Sequence, residues 1–113
     1  MKKSDSLSVY DIIESMEMII YYLENCSLDD LQNDVMRQDA IIRRFQVIGE
    51  AASKVSEASK IQFQTIDWKE MKSFRNFLVH EYRRILIPIL FKTIKDILPT
   101  QLQYLKEIDL TKI

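Results

Sequence analysis

The chain has 113 residues, 47% of them hydrophobic, and its 16 basic and 17 acidic side chains leave a net charge of −1. That length suits a single domain, and the near balance of charge excludes a protein that coats nucleic acid by bulk electrostatics. One glycine and two prolines leave little turn chemistry for hairpins, and the lone Cys26 allows no intrachain disulfide, so an all-α protein of a reducing cytoplasm is expected.

Taken in order, Met-Lys-Lys-Ser-Asp-Ser opens the chain with a basic start but no long apolar run. Asp11, Glu14 and Glu17 break the stretch that follows, so neither a signal peptide nor a membrane span is expected. Val9, Ile12, Ile13, Met16, Ile20 and Leu23 recur at three- and four-residue spacing, which predicts an amphipathic helix over 7–25 capped by Ser6 or Ser8. Ser27-Leu28-Asp29-Asp30 reads as a fresh N-cap with acids in the first turn, opening a short helix to Asn33.

Ile41, Phe45, Ile48, Ala52 and Val55 stripe a long third helix over 34–58. Gly49 falls inside it, where glycine costs up to about 1 kcal/mol relative to alanine; a close approach of another helix would compensate. Its neighbour Glu50 is either a solvated acid or a partner for Arg75 or His80. Residues 59–67 lack helical rhythm and read as a connection, with Asp67 capping the next helix.

That next helix carries Trp68, Met71, Arg75, Leu78 and Tyr82 at spacings of 3, 4, 3 and 4. Arg75 takes a slot where the pattern asks for an apolar side chain, and an unpaired buried guanidinium would cost several kcal/mol. It must therefore face a cleft, an acid or a partner chain. With Arg75 as the zero direction, Tyr82 falls at about −20°, Asn76 at about +100° and His80, the only histidine, at about +140°. Phe74, Phe77 and Leu78 point the other way, between about −60° and −160°. One side is built to bury, and the other carries a cation, an amide, an imidazole and a phenol. Beyond Arg83 and Arg84 the last helix is expected to start near Pro88 and to kink or split at Pro99. The core is expected over about 7–106 within a single domain 1–113, with a frayed tail from Ile108.

Imidazole is the side chain whose ordinary pKa suits proton transfer near neutrality, and the forked donors of arginine match phosphate oxygens. Asn76, four residues before His80, could orient the ring or hold a phosphate. One histidine and one distant cysteine do not supply a zinc ligand set, so no metal is expected. Nor is a cofactor. No partner for a serine or cysteine nucleophile stands near His80.

Arg75-x4-His80-x-Tyr82 resembles the Arg-x4-His-x-Tyr signature of HepT-type toxins, small all-α ribonucleases of the HEPN superfamily. Asp11-Ile12-Ile13, Gln38-Asp39-Ala40-Ile41-Ile42-Arg43, Ile48-Gly49-Glu50-Ala51 and Ile66-Asp67-Trp68 stand in that family's order and approximate spacing, so the likeness spans roughly 9–105. The chain departs from it at Arg83-Arg84-Ile85-Leu86, where a glycine and a helix-capping aspartate would be expected. The resemblance implies an up-down bundle of four to five helices, paired as a homodimer with Arg75, Asn76 and His80 lining a shared groove. It implies an endoribonuclease toxin with RNA as substrate, beside a minimal nucleotidyltransferase antitoxin that transfers AMP to Tyr82. Arg83 and Arg84 would then add charge for the RNA backbone. Two readings compete with the nuclease: a catalytically silent HEPN-type module that docks a nucleotidyltransferase, and a plain helical interaction protein.

Overall fold

The computed structural model describes residues 1–110. Seven helices follow one another there: α1 Lys3–Tyr22, α2 Leu28–Gln32, α3 Val35–Lys54, α4 Glu57–Gln62, α5 Trp68–His80, α6 Arg83–Asp96 and α7 Leu98–Lys106. No strand occurs among the described residues, and no helix among them is long and apolar enough to cross a membrane. The expected all-α bundle is what forms, with α1, α3, α5 and α6 as its long members.

The apolar stripes decide the packing. Val9, Ile12 and Ile19 of α1, Ile41 and Ala52 of α3, Leu90 of α6 and Leu105 of α7 are fully buried in one core. Burial of each Ile or Leu side chain contributes about 1.5–3 kcal/mol against the entropy of ordering it. α3 is the central helix, packed on α1 along one side and on α5 along another. Phe45 of α3 meets Phe74 of α5 edge-on at 5.0 Å, and Phe74 stacks on Phe77 at 5.8 Å. The apolar side of α5 thus lies where the residue pattern places it.

Several local expectations change. α1 begins at Lys3 rather than near residue 7, so Ser6 and Ser8 are buried inside the helix and cap nothing. The reason is Asp5. Its carboxylate accepts hydrogen bonds from the Ser56 amide (2.9 Å), Ser56 Oγ (2.6 Å) and Ser59 Oγ (2.7 Å), which ties the start of α1 to the start of α4. Burial pushes this carboxyl up, but the Ser56 and Ser59 hydrogen bonds together outweigh it and hold the group below its ordinary value. α4 itself falls in a stretch expected as a connection from residue 59. The signal was Ser56, whose hydroxyl caps the helix by accepting from the Ser59 amide.

At α2 the Ser27–Asp30 capping box forms as the residues predict. Asp67 stands at the N-cap of α5 but makes no capping bond; its carboxylate accepts from Gln101 Nε2 at 3.3 Å instead. α6 starts at Arg83, five residues before the expected Pro88, because the Tyr82 carbonyl accepts from the Ile85 and Leu86 amides. Pro88 therefore sits inside the helix and donates nothing to the Arg84 carbonyl four residues back. Pro99 does split the last segment, into α6 and α7. Ile108 and Leu110 are not frayed but packed on the core; the remainder of the expected tail, residues 111–113, lies outside the described residues.

Candidate active site

Gly49 and Arg75 set the site's position. A Cβ built on Gly49 would come within 2.6 Å of the Arg75 Cβ and 3.0 Å of the Met71 carbonyl oxygen, so hydrogen at this position is what lets α3 and α5 approach so closely. The stem of Arg75 fills the apolar slot against the glycine. The residue is half-buried, and its guanidinium makes no hydrogen bond or ion pair among the described residues. A forked cation on a rigid helix is left available to an anion.

α5 runs unbroken through His80, its last residue, so Arg75 and His80 stay about 140° apart around one helix. The ring is exposed and does not turn inward within the protomer. Asn76, also exposed, lies one turn before it on the same face. Neither side chain makes a hydrogen bond among the described residues.

Tyr82 departs from the expected arc. The helix ends before it, Glu81 is extended, and Tyr82 is the N-cap of α6 and 79% exposed. Its direction therefore does not follow the helical count from Arg75. The Glu81 carboxylate accepts from the Tyr82 amide at 3.3 Å, bracing the joint.

The two arginines that follow divide their roles. Arg83 reaches across to α3, donating from Nη1 to Gln38 Oε1 at 3.0 Å and from Nη2 to Asp39 Oδ1 at 2.7 Å. Gln38 is buried and donates in turn to the Leu31 and Gln32 carbonyls at the end of α2. Arg83 is thus engaged inside the protomer, whereas Arg84 is exposed with no side-chain partner among the described residues. Glu50 pairs with Arg43 at 3.7 Å and not with Arg75 or His80. Spacing alone did not reveal Gln38 and Asp39 as contacts of this joint; an amide and an acid in the first turns of α3 were the available signal.

No group of three or more His, Cys, Asp or Glu side chains placed to hold a metal ion occurs among the described residues. A small apolar cavity of about 190 Å³, lined by Met16, Phe45, Ile48, Met71, Phe74 and Ile97 among others, excludes Arg75, Asn76, His80 and Tyr82. What the site offers is a fixed cation and an open imidazole on one helix, with a phenol at the next helix start. That set suits proton transfer beside a phosphate.

The family model described as ribonuclease HepT-like matches residues 12–108. A provisionally named RNase of Methanocaldococcus jannaschii is 32% identical over 98 residues, covering 87% of this chain and 90% of that protein. A protein of Thermococcus cleftensis named probable ribonuclease HepT is 32% identical over 100 residues, covering 88% and 91%. A second provisionally named RNase of Methanocaldococcus jannaschii is 31% identical over 107 residues, covering 95% and 88%. No solved structure matches the chain. The chain belongs to the HepT-like ribonuclease family.

Proposed function

We propose that this HepT-like ribonuclease is a metal-independent endoribonuclease toxin that acts as a homodimer, with Arg75 and His80 of both protomers on one groove. The observation that carries the reading is Arg75: a guanidinium held against Gly49 with no partner in its own protomer, on the helix that ends in an exposed His80. Val79, Ile85 and Ile89 leave apolar surface around the same helix junction, which a second copy would cover.

In the proposed reaction one His80 imidazole takes the proton of a ribose 2′-hydroxyl as its oxygen attacks the adjacent phosphorus. Arg75 donates to the non-bridging oxygens, whose charge rises in the pentavalent state. The bond from phosphorus to the 5′-oxygen breaks, and the partner's His80, as imidazolium, returns a proton to that leaving oxygen. The products are a 2′,3′-cyclic phosphate and a 5′-hydroxyl. Asn76 orients the ring or the phosphate. A single imidazole cannot be base and acid at the same moment, which is why the reading asks for two copies.

Tyr82 is the AMP acceptor in this proposal. Tyr82 is exposed and stands two residues after His80, so an added nucleotide would bring negative charge and bulk to the groove mouth. A nucleotidyltransferase antitoxin is the corresponding partner. The engagement of Arg83 by Gln38 and Asp39 favours a second reading, a catalytically silent module that docks such a partner, because it removes one cation from the RNA path.

The test is RNA incubated with the purified protein in EDTA. Cleavage leaving cyclic phosphate ends, abolished by His80→Ala, supports the nuclease, and no cleavage by the folded wild-type protein supports the silent module. Light scattering that reports a strict monomer at working concentration removes the shared site. With a nucleotidyltransferase of the antitoxin kind and ATP, wild type should lose activity while Tyr82→Phe keeps it.

A further inference from the structure

A cleft of about 760 Å³ opens where the start of α3 faces the start of α6, lined by Gln32, Val35, Gln38, Asp39, Arg83, Arg84 and Ile87. Its volume falls within the range that holds small ligands. Gln38 and Gly49 are eleven residues apart on α3, about 20° around the helix and about 16 Å along it. One stripe of α3 therefore carries both the Arg75 contact and the Arg83 contact.

Three features give the cleft a chemical character. Arg83 is neutralised by Asp39 at 2.7 Å, so it serves as a wall, and the uncommitted cation is Arg84. Asp39 uses Oδ1 on Arg83, while Oδ2 has no hydrogen-bond partner among the described residues. Val35, which lines the cleft, is 63% exposed, so apolar surface stands beside the polar groups, while Ile87 is buried. A cation, a carboxylate acceptor and apolar walls match the phosphate, base edge and base face of one nucleotide. The Arg83–Asp39 pair adds little to stability by itself, since both side chains are half or more exposed.

We infer that this cleft is a base-reading subsite for one nucleotide of the RNA substrate flanking the scissile phosphate, with Arg84 on its phosphate and Asp39 accepting from its base. A carboxylate accepts from an exocyclic amine, whereas uracil offers it only an N3–H set between two carbonyl oxygens that repel it, so cytosine, adenine or guanine is favoured over uracil. The inference rests on the ribonuclease reading for the word substrate, but its binding half is independent of cleavage.

Two measurements separate them. His80→Ala protein, which binds without cutting, is titrated with fluorescent tetranucleotides that differ at one position. Binding should prefer an amine-bearing base by about fivefold or more at that position, as one base-edge contact allows. Adding Asp39→Asn, which replaces an acceptor by an amide that also donates, should move the preference toward uracil. Adding Arg84→Ala should weaken all sequences alike. In the cleavage map of otherwise wild-type protein, Asp39→Asn should shift the base found beside the cut, with the circular dichroism spectrum unchanged. Unchanged preference in both measurements overturns the subsite, even if wild type cleaves. Base preference that follows Asp39 in binding, with no cleavage by wild type, keeps the subsite and removes the nuclease reading.

Discussion

Gly49 and Arg75 touch across the α3–α5 interface so closely that a single added methyl group would lie 2.6 Å from the Arg75 Cβ. The contact sets the spacing of the two helices and the depth at which the guanidinium sits. Packing and chemistry therefore meet at one position.

Gly49→Ala reverses an ordinary sign. In an unconstrained helix the change stabilises by up to about 1 kcal/mol. Here the methyl group meets a Cβ and a backbone carbonyl rather than the far end of a flexible chain, so α5 must shift. The variant should lose about 1–3 kcal/mol in urea denaturation, as overpacked sites do, and should lose ribonuclease activity with it.

Arg75→Lys keeps the charge and loses the fork. The guanidinium makes no bond within the described protomer, so the melting curve should move by no more than about 0.5 kcal/mol. Cleavage should fall by about 100-fold, the scale seen when one donor to a transition-state oxyanion is removed. A Lys variant as active as wild type would show that charge alone suffices at this position.

Asp5 links stability to acid pH. Its carboxyl is held below the ordinary 3.8 in the folded protein, so the stabilisation is complete above that value and is lost as pH falls through the folded value. Wild type should weaken below about pH 4. Asp5→Asn should cost about 1–3 kcal/mol at neutral pH and flatten the acid limb, measured as denaturation midpoint against pH.

Trp68 anchors the start of α5. It is buried, and its indole nitrogen donates to the Phe63 carbonyl at 3.1 Å. Trp68→Ala should cost about 3–5 kcal/mol, while Trp68→Phe should cost less and report mainly the lost hydrogen bond. Equal losses for the two variants would assign the effect to the hydrogen bond alone.

Local pattern carried much of the fold. The stripes of Val9, Ile12 and Met16, and of Ile41, Phe45 and Ile48, are buried where three- and four-residue periodicity puts them, whereas Ile20, expected on the first stripe, is exposed and Ile19 is buried instead. The capping box at Ser27, the break at Pro99 and the close approach at Gly49 were legible for the same reason. Each depends on residues a few positions apart, or on a side chain too small to need a partner. The Arg75, Asn76 and His80 set was legible because polar groups interrupt an apolar helix.

What the tertiary structure alone decided lies at long sequence separation. Asp5 meets Ser56 and Ser59 from 51 and 54 positions away, and that contact extends α1 backward beyond its apolar stripe. Arg83 meets Gln38 and Asp39 from 45 and 44 positions away, which makes it a brace between α6 and α3. Tyr82 leaves the helical arc because the helix stops before it, and Glu81 is extended there. Periodicity reports which face of a helix is apolar. It does not report which distant polar group a side chain will find, because that choice is made only when the helices have packed and the alternative is a polar group left without a partner.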